Sequence, residues 1–252
     1  MDGYIVLVVG ESCSLEQLIS RCFGKHDLGQ YGLNWLKNNF LGDINEQRSI
    51  YIDTERKLLK TNSDKKYIPE SELEKYRYFH PYMYKRKLTD EIIILFDIGY
   101  DKETDCITFP VRDIEGNCLF IARRSVKSKF FNYPSNIEKP VYGLYELNLQ
   151  NEFPNEIYIC ESMIDALTLW THNKYAVALN GLGTDYQYKQ LNNMPCRKFI
   201  LATDNDIAGQ NARIRLRHKI RGKIITEIKL PTNRKDINEC TWNEVENLFE
   251  IF

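Results

Sequence analysis

The chain has 252 residues, of which 43% are hydrophobic and 27% charged, and a formal net charge of −1. That is enough for one large or two modest domains with a sizeable core, and the balanced charge excludes a general attraction to nucleic acid, so any such surface must be local. No apolar run approaches the ~18 residues of a membrane span, no signal peptide is legible, and the seven cysteines form no close C-x-x-C pair, so the reading is a cytoplasmic protein with reduced thiols and no membrane partner.

Residues 1–68 read as a helical appendage and linker. Leu15, Leu18, Ile19 and Cys22 have helical spacing, as do Leu33, Trp35, Leu36 and Phe40, with Gly24 and Gly29 between the two sets. The polar, lysine-rich stretch that follows is expected to hold one short strand, at Ser49 to Ile52.

Residues 69–154 read as a basic, mixed α+β subdomain. Ser71 and Glu74 fit a capping box at a helix start. Tyr76, Tyr78, Phe79, Tyr82 and Tyr84 are then interleaved with Arg77, Lys85, Arg86 and Lys87. Such a mixture can stack bases and bind phosphates, or form a core edge with hydroxyls at the surface. Thr89 opens a further helix carrying Ile92, Ile93, Leu95 and Phe96. From Cys106 the period becomes two: Ile107, Phe109 and Val111 alternate, Ile114 to Asn117 turn, and Leu119 to Ala122 return as a hairpin. The hairpin delivers Arg112 at one end and Arg123 with Arg124 at the other. Lys127, Lys129 and Lys139 follow, six cations against the three acids Asp113, Glu115 and Glu138. That excess at strand ends points to a phosphate-binding surface.

Residues 155–252 alternate strand and helix patterns. The apolar runs at 157–160, 176–179, 199–202 and 223–230 read as strands. Helix faces carry Met163, Ala166, Leu167 and Trp170, then Ala208, Ala212, Leu216 and Ile220. Alternation of this kind gives an α/β fold with a mainly parallel sheet flanked by helices, and such sheets bind ligands at the carboxyl ends of their strands. Glu161 follows the first run, Asn180, Gly181 and Gly183 the second, Asp204 and Asp206 the third. Three carboxylates converging there repel one another unless a cation lies between them, and oxygen donors suit magnesium or manganese. Arg213, Arg217 and Arg221 form a basic stripe beside this edge, and a loop brings Asp236 and Glu239 towards it. Thr241 with Glu244 is expected to cap a last helix bearing Trp242, Val245, Phe249 and Phe252.

The order of these signals resembles the toprim domain, in which a glutamate, a Gly-rich turn and D-x-D follow three successive strands. Glu161-Ser162-Met163-Ile164-Asp165, Leu179 to Thr184, and Asp204-Asn205-Asp206-Ile207-Ala208-Gly209 carry the likeness. Upstream, Phe109 to Asp113, Gly116, Arg123-Arg124, Lys129 to Pro134 and Tyr142 to Tyr145 are similar, in order, to segments of the core of bacterial-type DNA primases. The resemblance covers residues ~70–240. It implies a primase-core subdomain followed by a toprim domain, and an RNA polymerase core that makes short primers in replication from ribonucleoside triphosphates on single-stranded DNA. It also implies that Glu161, Asp204 and Asp206 are the catalytic, metal-holding acids, with Asp165 and Asp236 as further metal positions. Arg112, Arg123, Arg124, Lys129, Asn132 and Lys139 correspond to the nucleotide and template surface.

Two departures stand out. Ser162 replaces the family's glycine, and no zinc-ribbon ligand set is legible, since Cys13 and Cys22 are nine apart with His26 four beyond. No structural zinc is therefore expected, and the chain reads as a truncated form whose further partners are a replicative helicase or a separate zinc-ribbon protein. A metal-dependent nuclease and a non-catalytic single-strand-binding remnant are the rival readings of the same acids and cations. The upstream segments and the retained acids favour the polymerase.

Overall fold

The structure, a computed structural model, describes residues 15–25, 30–40, 67–128, 131–134 and 137–251. The expected strand at 49–52, Cys13, His26 and Lys129 lie outside the described residues. Two compact units divide the chain, residues 1–63 and 64–252.

In the first unit the two apolar patterns form α1 (Leu15–Cys22) and α2 (Gln30–Phe40). The buried Ser20 hydroxyl accepts the Gly32 N–H at 2.8 Å, and the Phe23 and Trp35 rings lie 6.1 Å apart.

The second unit begins with three short helices, α3 (Glu70–Leu73), α4 (Pro81–Lys85) and α5 (Asp90–Leu95). Ser71 is not the cap that its spacing from Glu74 predicts. The chain enters α3 from an extended Pro69 with no side-chain cap, and after Leu73 it tightens into a 3₁₀ turn over Glu74–Tyr76. Proline suits a helix entry because its φ is preset and it has no N–H to satisfy, so the helix starts ahead of the serine. A four-stranded antiparallel sheet follows, β1 (Gly99–Asp101), β2 (Cys106–Arg112), β3 (Cys118–Ser125) and β4 (Phe131–Asn132), in that spatial order. The hairpin of β2 and β3 is the one expected, with a register shift between Val111 and Arg112.

After α6 (Leu144–Asn148), a second sheet is built from β5 (Glu156–Cys160), β6 (Ala176–Ala178), β7 (Lys198–Leu201), β8 (Ile224–Lys229) and β9 (Phe249–Ile251). Its order is β6-β5-β7-β8-β9, parallel except for the β9 edge. The connections carry α7 (Met163–Thr171), α8 (Asp185–Asn193), α9 (Ile207–Lys219) and α10 (Trp242–Glu246). Thr241 and Glu244 form the expected capping box of α10, but the helix does not run on to Phe249. It stops at Asn247, and residues 249–251 pair with β8 instead. The edge of β8 needs backbone partners, and the Glu250 carboxylate is held there by the Thr226 hydroxyl at 2.9 Å and Lys198 at 2.6 Å.

One hydrophobic core runs through both sheets of this unit, joining Met83, Phe96 and Phe109 to Ile157, Leu167 and Phe199. A backbone bridge between Tyr142 and Ala178 ties the segment after β4 directly to β6.

Candidate active site

The strand order assembles the site. β5 and β7 are parallel neighbours, with Ile159 opposite Leu201, so the residues that follow them meet at one end of the sheet. Glu161 Oε1 accepts the Asp204 N–H at 3.1 Å. β6 flanks β5 on its other side and brings Asn180 and Gly181 to the same end, with the Gly181 N–H on the Glu161 carbonyl at 3.3 Å. β8 flanks β7 and brings the loop that carries Lys235, Asp236 and Asn238. The strand order thus reverses at β5, which is where open α/β sheets place their binding crevice.

Local geometry fixes each acid. Asp206 is the N-cap of α9, accepting the Gly209 N–H at 2.9 Å. A Cβ on Gly209 would lie 2.0 Å from the Asp204 carbonyl oxygen, so only glycine lets α9 start this close to the D-x-D turn. Gly209, and not the exposed Ala208, therefore takes the first buried position of the helix. Ser162 caps α7, and its hydroxyl donates to Asp165 Oδ2 at 2.5 Å. Asp165 Oδ1 accepts the Asn238 N–H at 3.0 Å, so both oxygens of this buried carboxylate tie the 231–240 loop to α7.

Burial, then the Asp204 charge, pushes the Glu161 carboxyl up. Burial, then Asp236, does the same to Asp204. Asp165 is pushed up to about 7 by burial and by Asp236. Asp206 goes the other way, held down by the Gly209 N–H and by Lys235. Upward shifts of this kind mark negative charge lacking compensation. Among the described residues no three acidic, His or Cys side chains stand as a ready-made metal group. The donor chemistry nevertheless fits a hard divalent cation. Glu161 and Asp204 are carboxylates in want of positive charge, and the Asn180 Oδ1 beside them is buried without a partner.

Glu161, Asp165, Asn180, Asp204 and Asp236 line a cleft of about 350 Å³, and the first sheet and its helices supply the other wall through Arg86, Arg124, Phe131 and Tyr133. The Tyr82 hydroxyl accepts the Nε–H of both Arg86 and Arg124, each at 2.9 Å. Arg86 also donates to Asn238 Oδ1 at 3.0 Å, while the Nη atoms of Arg124 take no hydrogen bond among the described residues.

The other expected basic residues are distributed differently. Arg123 faces away from the cleft, on Asp101 at 3.1 Å and the Tyr76 hydroxyl at 3.2 Å. Arg112 is only 11% exposed, paired with Glu70 at 2.7 Å and Asp97 at 3.1 Å on the wall of a separate pocket. Asn132 is exposed on β4. Lys139 lies 4.0 Å from the Tyr133 ring centroid, beside the 179–187 turn. The arginine stripe of α9 is engaged with its neighbours, Arg213 on Thr203 and Arg217 on Glu227. Arg86, Lys235 and Asn238 are site residues to which the sequence pattern assigns no role. The adjacency of Lys235 to Asp236, and of Arg86 to the tyrosine cluster, were the available signals.

With this geometry in hand, a toprim-like family matches residues 158–241. A DNA primase of Mycoplasma genitalium is 28% identical over 232 residues, covering 80% of this chain and 38% of that protein. Two solved structures share the fold. A DnaG primase catalytic domain bound to single-stranded DNA superposes with a TM-score of 0.57 at 20% identity, covering 72% of this chain and 77% of that one. The Escherichia coli primase catalytic core gives 0.55 at 20% identity, covering 73% and 75%. The chain carries a DnaG-like primase core. Its toprim-like part spans β5 to the start of α10, which includes all the acids of the cleft. The chain spans less than two fifths of the length of the curated relatives it matches.

Proposed function

We propose that the chain is a polymerising core that joins ribonucleotides into a short RNA primer on single-stranded DNA. The observation that supports it most is the two-signed cleft, where arginines and aromatic rings from one side and carboxylates from the other line a single space of nucleotide size. Primer extension forms a bond between a 3′ oxygen and an α-phosphorus, and breaks the bond to the departing pyrophosphate. Magnesium or manganese, held by Glu161, Asp204 and Asp206, would neutralise the charge on the attacking and leaving oxygens. Arg86 and Arg124 hold the triphosphate, oriented by the shared Tyr82 hydroxyl. Phe131 and Tyr133, stacked at 4.8 Å, offer a platform for a base. Lys139 and Lys129 extend the basic surface towards the template, and a replicative helicase or a zinc-ribbon protein is the further partner proposed.

The test is incubation with single-stranded DNA, labelled ribonucleotides and manganese. Labelled oligomers are expected, and Asp204→Asn should cut them by at least about two orders of magnitude, in line with the several kcal/mol a bound cation supplies. Shortened template would indicate a nuclease, and neither product a binding protein; both outcomes overturn the reading.

A further inference from the structure

Lys235 holds an unusual place. Its ammonium lies 3.6 Å from Asp204 Oδ2 and 3.4 Å from Asp206 Oδ2, between the two acids of the D-x-D turn. Both distances exceed the ~2.7–2.9 Å of a committed charge-assisted hydrogen bond, and the side chain is 56% exposed. The backbone, by contrast, is pinned. Lys235 O accepts the Asn205 N–H at 2.7 Å, and Lys235 N–H donates to Glu239 Oε2 at 2.8 Å. The residue is thus a mobile point charge on a flexible stem, anchored at its root to the very turn whose carboxylates it neutralises.

We propose that Lys235 is a tethered counter-ion for Asp204 and Asp206, and that it passes from these carboxylates to the substrate's phosphates when a divalent cation binds. This rests on the polymerase reading above. A divalent ion and an ammonium cannot share two carboxylates without like-charge repulsion, so the ion must displace Nζ. The pinned backbone keeps the displaced ammonium at the rim of the cleft, one residue from Asp236 on its wall. A triphosphate arriving with the metal then offers the ammonium a new anion. Metal and nucleotide binding are thereby coupled through one side chain, and the coupling is reciprocal.

The experiment is a manganese titration of the full chain, followed by calorimetry and by the electron paramagnetic resonance signal of free manganese. It is run on the wild type, Lys235→Met, Lys235→Arg and Asp204→Asn, with and without a non-hydrolysable ribonucleoside triphosphate analogue. Without the analogue, Lys235→Met should bind manganese about three- to fivefold more tightly, the scale of an exposed ion pair. With it, the gain in manganese affinity that the analogue brings to the wild type should shrink in Lys235→Met and survive in Lys235→Arg. Unchanged or weaker manganese binding by Lys235→Met, with Asp204→Asn losing it, overturns the role of Lys235 alone. Unchanged binding by Asp204→Asn overturns the metal reading and this proposal together.

Discussion

Glu146, on α6, is 4% exposed, and burial pushes its carboxyl up to about 7, with partial relief from its own backbone and from Arg112. The folded state therefore binds this proton more tightly than the unfolded chain does. Its contribution to stability is fully present below the unfolded value, near 4.5, and is lost as pH rises through the folded value, near 7. Glu146→Gln keeps the shape and cannot ionise. Thermal melts of the two proteins should coincide near pH 4 and diverge to a plateau above about pH 7, with the variant more stable by on the order of 2–3 kcal/mol. Equal melting at pH 8 would mean that the carboxylate finds a partner when charged. At this scale the chain was partly legible. Glu161, Asp204 and Asp206 could be picked out because each follows an apolar run, and parallel neighbours share an end. The burial of Glu146 and the placing of Lys235 and Asn238 could not, since they depend on helices and loops folding across a sheet edge that sequence period does not encode.

On β3 a single residue's step decides between two roles. Side chains alternate along a strand, so Arg124 reaches the cleft beside Phe131 while Arg123 lands on Asp101, whose side chain is 8% exposed. The hairpin and its basic end were evident from the period of two, but not which arginine faced which way, because the face depends on what packs beneath. Likewise Phe249 and Phe252 fit a helix continued from Val245, and the unpaired edge of β8 claimed residues 249–251 as a strand instead. The prediction separates the two arginines. Arg124→Ala should weaken binding of a ribonucleoside triphosphate and flatten its salt dependence by about one unit of slope for each phosphate the guanidinium neutralises. Arg123→Ala should leave both unchanged, and lower the melting temperature by stranding Asp101, at about 1–3 kcal/mol. Equal binding losses in both variants, at unchanged stability, would show that the step along the strand does not divide their roles.

The division between residues 154 and 155 separates two kinds of sequence pattern, yet the packing runs straight across it. Phe96 of the first part meets Trp170 of the second edge-on, their centroids 5.3 Å apart. Polar contacts cross as well. Lys87 donates to the carbonyls of Asn238 and Cys240, Gln187 Nε2 to that of Pro140 at 3.1 Å, and Asn238 Nδ2 to that of Arg86 at 2.8 Å. Each large apolar side chain fully removed from water contributes about 1.5–3 kcal/mol, whereas a whole domain is stable by only about 5–15 kcal/mol. Losing the partners of even a few, such as Trp170, Val177 and Ala178, would consume most of that margin. A fragment of residues 155–252 is therefore expected to keep helical far-ultraviolet dichroism, bind a hydrophobic dye, and melt without a sharp transition. Residues 67–252 should melt in one cooperative step with no dye binding. The cleft follows the same logic, because its arginines come from the first part and its acids from the second, so the fragment should hold triphosphate no better than free acids do. A sharp, dye-free transition in residues 155–252 alone would mean that the toprim-like part is an independent domain, and that the shared core is an interface between two such bodies.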